Sequence, residues 1–302
     1  MTTQVMGEEL RAAQERTDLP EDIRQKLQNL QRVLDADSQA TLMSFSMAAG
    51  EPRAVVSFGD VDTADLIVYL LHGIDTTLDE FPQWADAAQR LCGDVIRTCV
   101  SRGKPRQVAT IAWFAWDSGT HVTALATKHA TEGAARLAVD LDKVAARNPG
   151  AVIALATYSY SSTLLGEMYA MTIADRVDVA FSIASAGMTH PAANALAGAI
   201  AAKDVVFYAT EGASDSIAPL GRLGQHPIDP RSVPGAIVYE ADGGEAPAPD
   251  GSTAVGIAVE GHASQSSVDD DGERHVGYYD ARGQAYLTLV ARLADAAVSA
   301  FE

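Results

Sequence analysis

The chain has 302 residues, 47% of them hydrophobic and 21% charged, with 40 acidic against 22 basic side chains and a formal charge of −18. That length and mixture suit one large globular domain or two smaller ones, with room for a sizeable core. The acidic balance, with no Lys/Arg cluster, argues against nucleic acid or an anionic membrane surface as partner, because binding phosphates needs clustered cations.

The start, M-T-T-Q-V-M-G-E-E-L, is polar and acidic and lacks the basic and apolar regions of a signal peptide, and no apolar run approaches the ~20 residues of a membrane span, so a cytoplasmic protein is expected. Residues 20–35 place Ile23, Leu27, Leu30 and Leu34 at helical spacing behind Pro20, which predicts an amphipathic helix packing on the main body. The chain then alternates. Strand-like runs occur at 53–58, 66–71, 108–115, 151–156, 177–183, 204–209 and 236–240, and Ala-rich helical stretches lie between most of them, at 81–91, 130–147 and 163–174 among others. Near-continuous apolar strands mean that both sheet faces are covered, as in a mostly parallel α/β sheet. The expected organisation is an N-terminal helical segment over residues 1–50 and one α/β domain over 51–302. The turn-rich, acidic region 241–277 reads as irregular surface segments flanking a short strand.

Cys92 and Cys99 are expected as two buried thiols rather than a disulfide, and neither has the C-x-x-C or His/Cys neighbourhood of a zinc site. No cofactor motif is present and no metal is expected. His121, His129, His190 and His226 have no ligand spacing.

In open α/β sheets chemistry gathers at the carboxyl ends of strands. The residues just past the strands include His72-Gly73-Ile74-Asp75, Trp116-Asp117, Tyr158-Ser159-Tyr160 and Glu211-Gly212 with Asp215; His262 and His275 follow later in the chain. A serine hydroxyl becomes a nucleophile when a histidine takes its proton and a carboxylate fixes that histidine, and the order Ser, Asp, His along the chain suits a strand-turn-helix nucleophile. Ser159 in L-A-T-Y-S-Y-S-S-T ends a strand and opens a helix, with Asp215 in T-E-G-A-S-D-S-I after it; Glu211 and Asp178 are alternative acids. The backbone N–H groups of Ile74 and Tyr160 are the candidate oxyanion donors, with Gly73 admitting close approach. His72 is expected to hold its loop by a backbone hydrogen bond, Trp113 and Trp116 to pack in or beside the pocket, and Asp75 and Asp117 to hydrogen-bond across its mouth.

The segments at 52–85 (P-R-A-V-V-S-F through L-L-H-G-I-D to F-P-Q-W-A), V-A-T-I-A-W-F-A-W-D (108–117), Y-S-Y-S-S (158–162) and H-V-G-Y-Y-D (275–280) resemble a family of actinobacterial α/β hydrolases of unassigned function, over roughly residues 25–300. The resemblance implies the α/β-hydrolase fold and a serine nucleophile. The family's motifs, G-H-S-Y-G-S, a G-D-x-I-like segment and G-H-S-x-Y-x-D, assign the roles to Ser159, Asp215 and His275. His275 is preferred because Tyr278 and Asp280 keep the motif's distances from it, with His262 in G-H-A-S as the alternative base. The elbow departs from the motif: Thr157 and Ser161 replace its two glycines and Tyr158 its histidine, and a β-branched Thr157 is expected to crowd a strained turn. The reading is therefore a serine hydrolase acting on a small-molecule carboxylic ester or related acyl compound. The alternative is a catalytically silent fold serving binding or assembly. An amide or thioester substrate would share the chemistry, and the sequence leaves a homo-oligomer open.

Overall fold

The computed structural model describes residues 3–269 and 271–299; residues 1–2, 270 and 300–302, which fall inside the expected segment boundaries, lie outside the described residues. Two helices open the chain, α1 (Thr3–Gln14) and α2 (Glu21–Ala36). Strands β1 (Ala40–Ala48) and β2 (Glu51–Phe58) form an antiparallel hairpin. Alternation follows with β3 (Leu66–Leu71), α3 (Phe81–Ser101), β4 (Val108–Phe114), α4 (Lys128–Arg147), β5 (Val152–Tyr158), α5 (Ser161–Ala170), β6 (Val179–Ile183), α6 (His190–Ala202), β7 (Val206–Thr210), the short α7 (Ala218–Gly221) and β8 (Ile237–Val238). Two small hairpins, β9 (Asp242–Pro247) with β10 (Thr253–Ala258) and β11 (Ser267–Val268) with β12 (Arg274–His275), precede the last described helix, α8 (Gln284–Ser299).

The eight strands β1 to β8 form one sheet in the order 1-2-4-3-5-6-7-8, parallel from β4 onward through β3, β5, β6, β7 and β8. Its centre explains the continuous apolar runs. In β3, Leu66, Val68 and Leu70 enter a core shared with α1, α2, α3 and α8, while Ile67, Tyr69 and Leu71 enter a second core shared with α4, α5 and α6. Successive side chains of a strand point to opposite faces, so a strand covered on both sides must be apolar at every position. All seven strand expectations from 53 to 240 coincide with β2 to β8, and the expected mostly parallel α/β sheet is the one observed.

Two expectations change. The boundary placed at residue 50 falls at the turn of the β1–β2 hairpin, so the segment before it is helical only through residue 36 and then supplies an edge strand of the sheet. A register shift between Leu42 and Ser44 interrupts the alternation of β1, so that Leu42 and Phe45 both face the core three residues apart. The region 241–277 is not irregular segments around one strand but two antiparallel hairpins, the first of which packs on α8.

Helix α2 buries Ile23, Leu27 and Leu30, the face expected from their spacing, and Leu34 packs at its rim. Two polar groups on the same face are paired. The Asn29 side chain donates to the carbonyls of Leu78 and Asp79 at 3.2 and 3.3 Å, and Lys26 meets Glu51 at 2.9 Å. Among the described residues no helix is long and apolar enough to cross a membrane. Cys92 and Cys99 are free and buried, as expected, and burial pushes the Cys92 thiol up to about 11.

Because Leu30 is fully buried in the core of the first face, Leu30→Ala is expected to lower unfolding free energy by about 2–5 kcal/mol. Urea unfolding followed by circular dichroism measures this, and a change below 1 kcal/mol would mean that α2 is not part of the cooperative unit.

Candidate active site

Strand β5 ends at Tyr158 and α5 begins at Ser161, leaving Ser159 and Tyr160 to turn the chain. Ser159 takes φ +56°, the left-handed region that non-glycine residues avoid at a cost of about 1–3 kcal/mol. Several bonds hold it there. Its N–H donates to Ile183 O at 2.9 Å, and its carbonyl accepts from the Ser162 and Ala186 amides at 3.0 and 3.3 Å.

The residues that stand where the resembling motif has glycine contribute hydroxyls to the same turn. Thr157 Oγ1 donates to Phe181 O at 2.7 Å and lies 3.3 Å from Ser162 Oγ. Ser161 Oγ lies 3.0 Å from Leu71 O and 2.8 Å from Tyr158 O, and accepts from the Tyr158 N–H at 2.8 Å. The expected crowding by Thr157 does not prevent the turn. Its branched side chain is fully buried with its oxygen paired to the neighbouring strand. The close approach falls instead on Gly73, where a Cβ would lie 3.1 Å from Ser159 Cβ and 3.2 Å from Tyr158 Cδ1. Glycine is needed there because the β3 loop runs against the serine itself.

Ser159 Oγ lies 2.9 Å from His262 Nε2, and His262 Nδ1 lies 2.8 and 3.0 Å from the two oxygens of Asp215. An ionised carboxylate only accepts, so the imidazole proton sits on Nδ1 and the Nε2 lone pair faces the serine hydroxyl. Asp215 is buried, which pushes its carboxyl up. The hydrogen bonds from His262, the Ala218 amide and the Tyr278 hydroxyl outweigh burial and hold it below the usual carboxylate range. Ile217 N–H donates to it as well, at 3.0 Å.

His275, preferred from the sequence, is not part of this row. It lies on β12, 42% exposed at its side chain, between Glu260 at 3.0 Å and Asp269 at 3.3 Å, and these two carboxylates raise its pKa. The physical reason is an inserted hairpin. Tyr278 N–H donates to Ala263 O at 3.0 Å and Tyr279 N–H to Ser264 O at 2.9 Å, so the chain leaves just after His262 and returns at Tyr278, with the β11–β12 hairpin looped out between. In space, therefore, the G-H-A-S segment and the Y-Y-D segment adjoin, while His275 rides on the insertion. The alternative base, His262, is the one the fold brings to Ser159 and Asp215. Tyr278 follows the insertion into place, its hydroxyl donating to Asp215 at 2.9 Å and accepting from the Gly212 N–H at 2.8 Å.

The alternative acids are engaged elsewhere. Glu211 pairs with Arg222 and Arg231, and Asp178 accepts from the Ile153 amide at 2.8 Å. Of the candidate oxyanion donors, Tyr160 follows Ser159 in its own turn and Ile74 follows Gly73 in the β3 loop, and among the described residues neither amide has a hydrogen-bond acceptor. Trp116 stacks on Tyr160, centroids 5.9 Å apart, whereas Trp113 is buried and donates to Asp140 at 3.0 Å. Asp75 and Asp117 do not bridge a pocket mouth. Asp117 accepts from Gly119 N–H within its own turn, and Asp75 contributes its backbone N–H to Gly119 O. A large cleft lined by Met6, Val55, Tyr69 and Arg147 lies toward the amino ends of the parallel strands and includes none of Ser159, Asp215 and His262.

Two positioning contacts had no sequence expectation. The Tyr158 hydroxyl donates to the His262 carbonyl and its ring lies 5.4 Å from the imidazole. Ser214 Oγ donates to Val259 O at 2.8 Å and accepts from Gly261 N–H at 3.0 Å, tying the acid loop to the histidine loop. The signal for the first was the replacement of the motif's histidine by tyrosine. The second pairs residues far apart in sequence and left none. Among the described residues no group of three His, Cys, Asp or Glu side chains could hold a metal ion.

An alpha/beta hydrolase family model matches residues 48–225, more than half of the chain. The chain belongs to the alpha/beta hydrolase family. The match takes in Ser159 and Asp215 and ends before His262. No curated protein matches this hydrolase in sequence. Among solved structures it is similar to a poly(3-hydroxybutyrate) depolymerase from Bordetella parapertussis, at 14% identity and TM-score 0.41 over 74% of this chain and 89% of that one. It is also similar to a cold-adapted esterase from an Arctic intertidal metagenomic library, at 15% identity and TM-score 0.41 over 68% and 86% of the two chains. A serine hydrolase without lid from Xanthomonas campestris aligns at 13% identity and TM-score 0.38 over 68% and 85%.

His72 holds the β3 loop as expected, its Nδ1–H donating to Gly73 O at 2.9 Å, and complete burial against Phe114 and Trp116 pushes its pKa down to about 4 from an ordinary value near 6.5. A base whose folded pKa is depressed stabilises the fold above its unfolded pKa and loses that contribution as pH falls toward the folded one. Relative to a His72→Asn variant, the parent hydrolase is therefore expected to lose about 2–3 kcal/mol of unfolding free energy between pH 7.5 and pH 4.5. Paired urea titrations at the two pH values measure the difference, and an equal loss in both proteins would show that His72 does not titrate in this window.

Proposed function

We propose that this protein is a serine hydrolase that cleaves a carboxylic ester through an acyl-enzyme. The observation that carries the reading is the continuous row from Ser159 Oγ to His262 Nε2 at 2.9 Å and from His262 Nδ1 to Asp215 at 2.8 Å, standing on a serine held at positive φ. His262 takes the hydroxyl proton as Ser159 attacks the ester carbonyl, and the imidazolium so formed is stabilised by ionised Asp215. The Ile74 and Tyr160 amides donate to the oxyanion, a contribution of about 3–4 kcal/mol per donor in comparable sites. His262 then passes its proton to the leaving alcohol oxygen as the C–O bond breaks. Water, deprotonated by the same nitrogen, attacks the acyl-enzyme, releases the acid and returns the proton to Ser159.

The silent-fold alternative rested on the missing elbow glycines. The hydroxyls of Thr157 and Ser161 bond the backbone of the turn they replace, and Ser159 keeps the strained conformation that points a nucleophile out of the sheet. These contacts support the active reading over the silent one.

On p-nitrophenyl acetate, Ser159→Ala and His262→Ala are each expected to lose about 10³-fold or more in kcat, as removal of one member of such a row does. His275→Ala should stay within about twofold, as is usual for exposed side chains away from the chemistry. Undiminished turnover in Ser159→Ala would remove the serine from the mechanism, and loss in His275→Ala with retention in His262→Ala would restore the assignment made from sequence.

A further inference from the structure

Two loops that leave the carboxyl ends of β4 and β7, the same edge of the sheet as Ser159, carry a group of exposed large apolar side chains. Val122 is 82% and Leu223 80% exposed, and Leu125, Ile217 and Leu220 are about half exposed. The two loops form one surface. Gln225 N–H donates to Leu125 O at 2.8 Å and the Gln225 side chain accepts from the Thr127 N–H at 3.3 Å. A Cβ at Gly224 would lie 2.3 Å from Leu125 O, so the two segments touch where Leu223 and Leu125 stand. Beneath them, fully buried His226 has one ring nitrogen 2.6 Å from Ala124 O and the other 2.7 Å from Ala186 O.

This surface is joined directly to the triad. The Ala186 N–H donates to the Ser159 carbonyl, and a Cβ at Gly221, between Leu220 and Leu223, would lie 2.7 Å from Ala186 Cβ. The amides of Ile217 and Ala218 donate to Asp215, and the Tyr160 hydroxyl lies 2.5 Å from Ala126 O. Its charge is unusual for a chain of net charge −18. From Ser118 to Thr127 there is no Asp, Glu, Lys or Arg, and from Ser216 to Ile228 the one such residue is Arg222. Arg222 turns inward to Glu211 and Ser185 O. Apolar side chains held in water beside a reaction centre lose hydration when an apolar group covers them, at roughly 25 cal/mol per Å². Both loops leave the sheet at the carboxyl ends of its strands, the edge at which Ser159 stands.

We propose that Val122, Leu125, Ile217, Leu220 and Leu223 form the binding track for a long, uncharged acyl chain, so that the preferred substrate class is medium- to long-chain acyl esters. This rests on the ester-hydrolase reading and names its substrate. The track acts on binding and leaves the proton transfers at Ser159 and His262 unchanged.

The test compares the parent with the triple variant Val122→Ser, Leu220→Ser, Leu223→Ser, whose replaced side chains are exposed and carry no core packing. The parent should prefer p-nitrophenyl decanoate to p-nitrophenyl acetate. In the variant, kcat/KM for the decanoate should fall about tenfold, the equivalent of about 1.4 kcal/mol, with the acetate value unchanged. An unchanged decanoate-to-acetate ratio overturns the track. A direct binding arm separates this from failure of the catalytic reading: dansyl-undecanoic acid is titrated into Ser159→Ala with and without the three serines. Binding weakened about tenfold by the serines supports the track even if no ester is turned over, and binding that is absent or equal in both overturns it. A parent that dimerises in light scattering, paired with a variant that is monomeric and has an unchanged ester ratio, would assign the patch to a second copy and overturn the acyl-chain proposal.

Discussion

The left-handed backbone at Ser159 is the constraint around which the catalytic edge is arranged. A residue with a Cβ at φ +56° is stable only where its surroundings over-determine it, and here the surroundings come from the two strands that flank β5, β6 and β3. Ile183 at the end of β6 accepts the serine amide, Leu71 at the end of β3 meets the Ser161 hydroxyl, and Phe181 accepts from Thr157. Glycine would relieve the strain of such a turn by permissiveness. Thr157 and Ser161 meet the same demand by hydrogen bonding, and the small residue that the geometry still requires moves to Gly73 on the facing loop. The sequence expectation treated the missing glycines as a loss. The structure places the requirement for space in one loop and the requirement for bonding in the other.

Legibility followed the range of the physics involved. The β3 to β6 runs were readable because a strand buried on both faces must be apolar at nearly every position, a signal contained in a few consecutive residues. Ser159 and Asp215 were readable because each follows a strand at its carboxyl end. Strand β1 was not, since its bulge breaks the alternation that identifies a half-buried strand. The histidine that the fold brings to Ser159 was the less favoured of the two for a reason that no local pattern reveals. Motif spacing assumes that distance along the chain stands for distance in space, and the β11–β12 hairpin breaks that link while leaving Tyr278 and Asp280 at the expected offsets from His275, which lies away from Ser159.

The return of the chain at Tyr278 shows why the insertion is tolerated. Its ends are pinned by the Tyr278 and Tyr279 amides to Ala263 and Ser264, and Gly277 sits where a Cβ would lie 2.5 Å from the Gln265 backbone. Asp280, which accepts from Ser266, Arg274 and Arg282, fixes the closure with charge. The looped-out residues therefore cost little beyond their own closure entropy, which grows slowly with length. The geometry that matters, Tyr278 against Asp215, is set by the segment after the loop.

Burial then decides which acid can serve. A carboxylate taken from water must be satisfied by donors or it will take up a proton. Glu211 is satisfied by two arginines, whose attraction would compete with an imidazole for the same oxygens. Asp215 is satisfied by two backbone amides and a tyrosine hydroxyl, donors that bear no formal charge and leave the negative charge for a neighbouring cation. The second arrangement leaves both Asp215 oxygens facing His262 Nδ1. The amides that satisfy the acid belong to Ile217 and Ala218, where the exposed apolar loop begins, so the chain that neutralises the acid also starts the surface on which an acyl chain would lie.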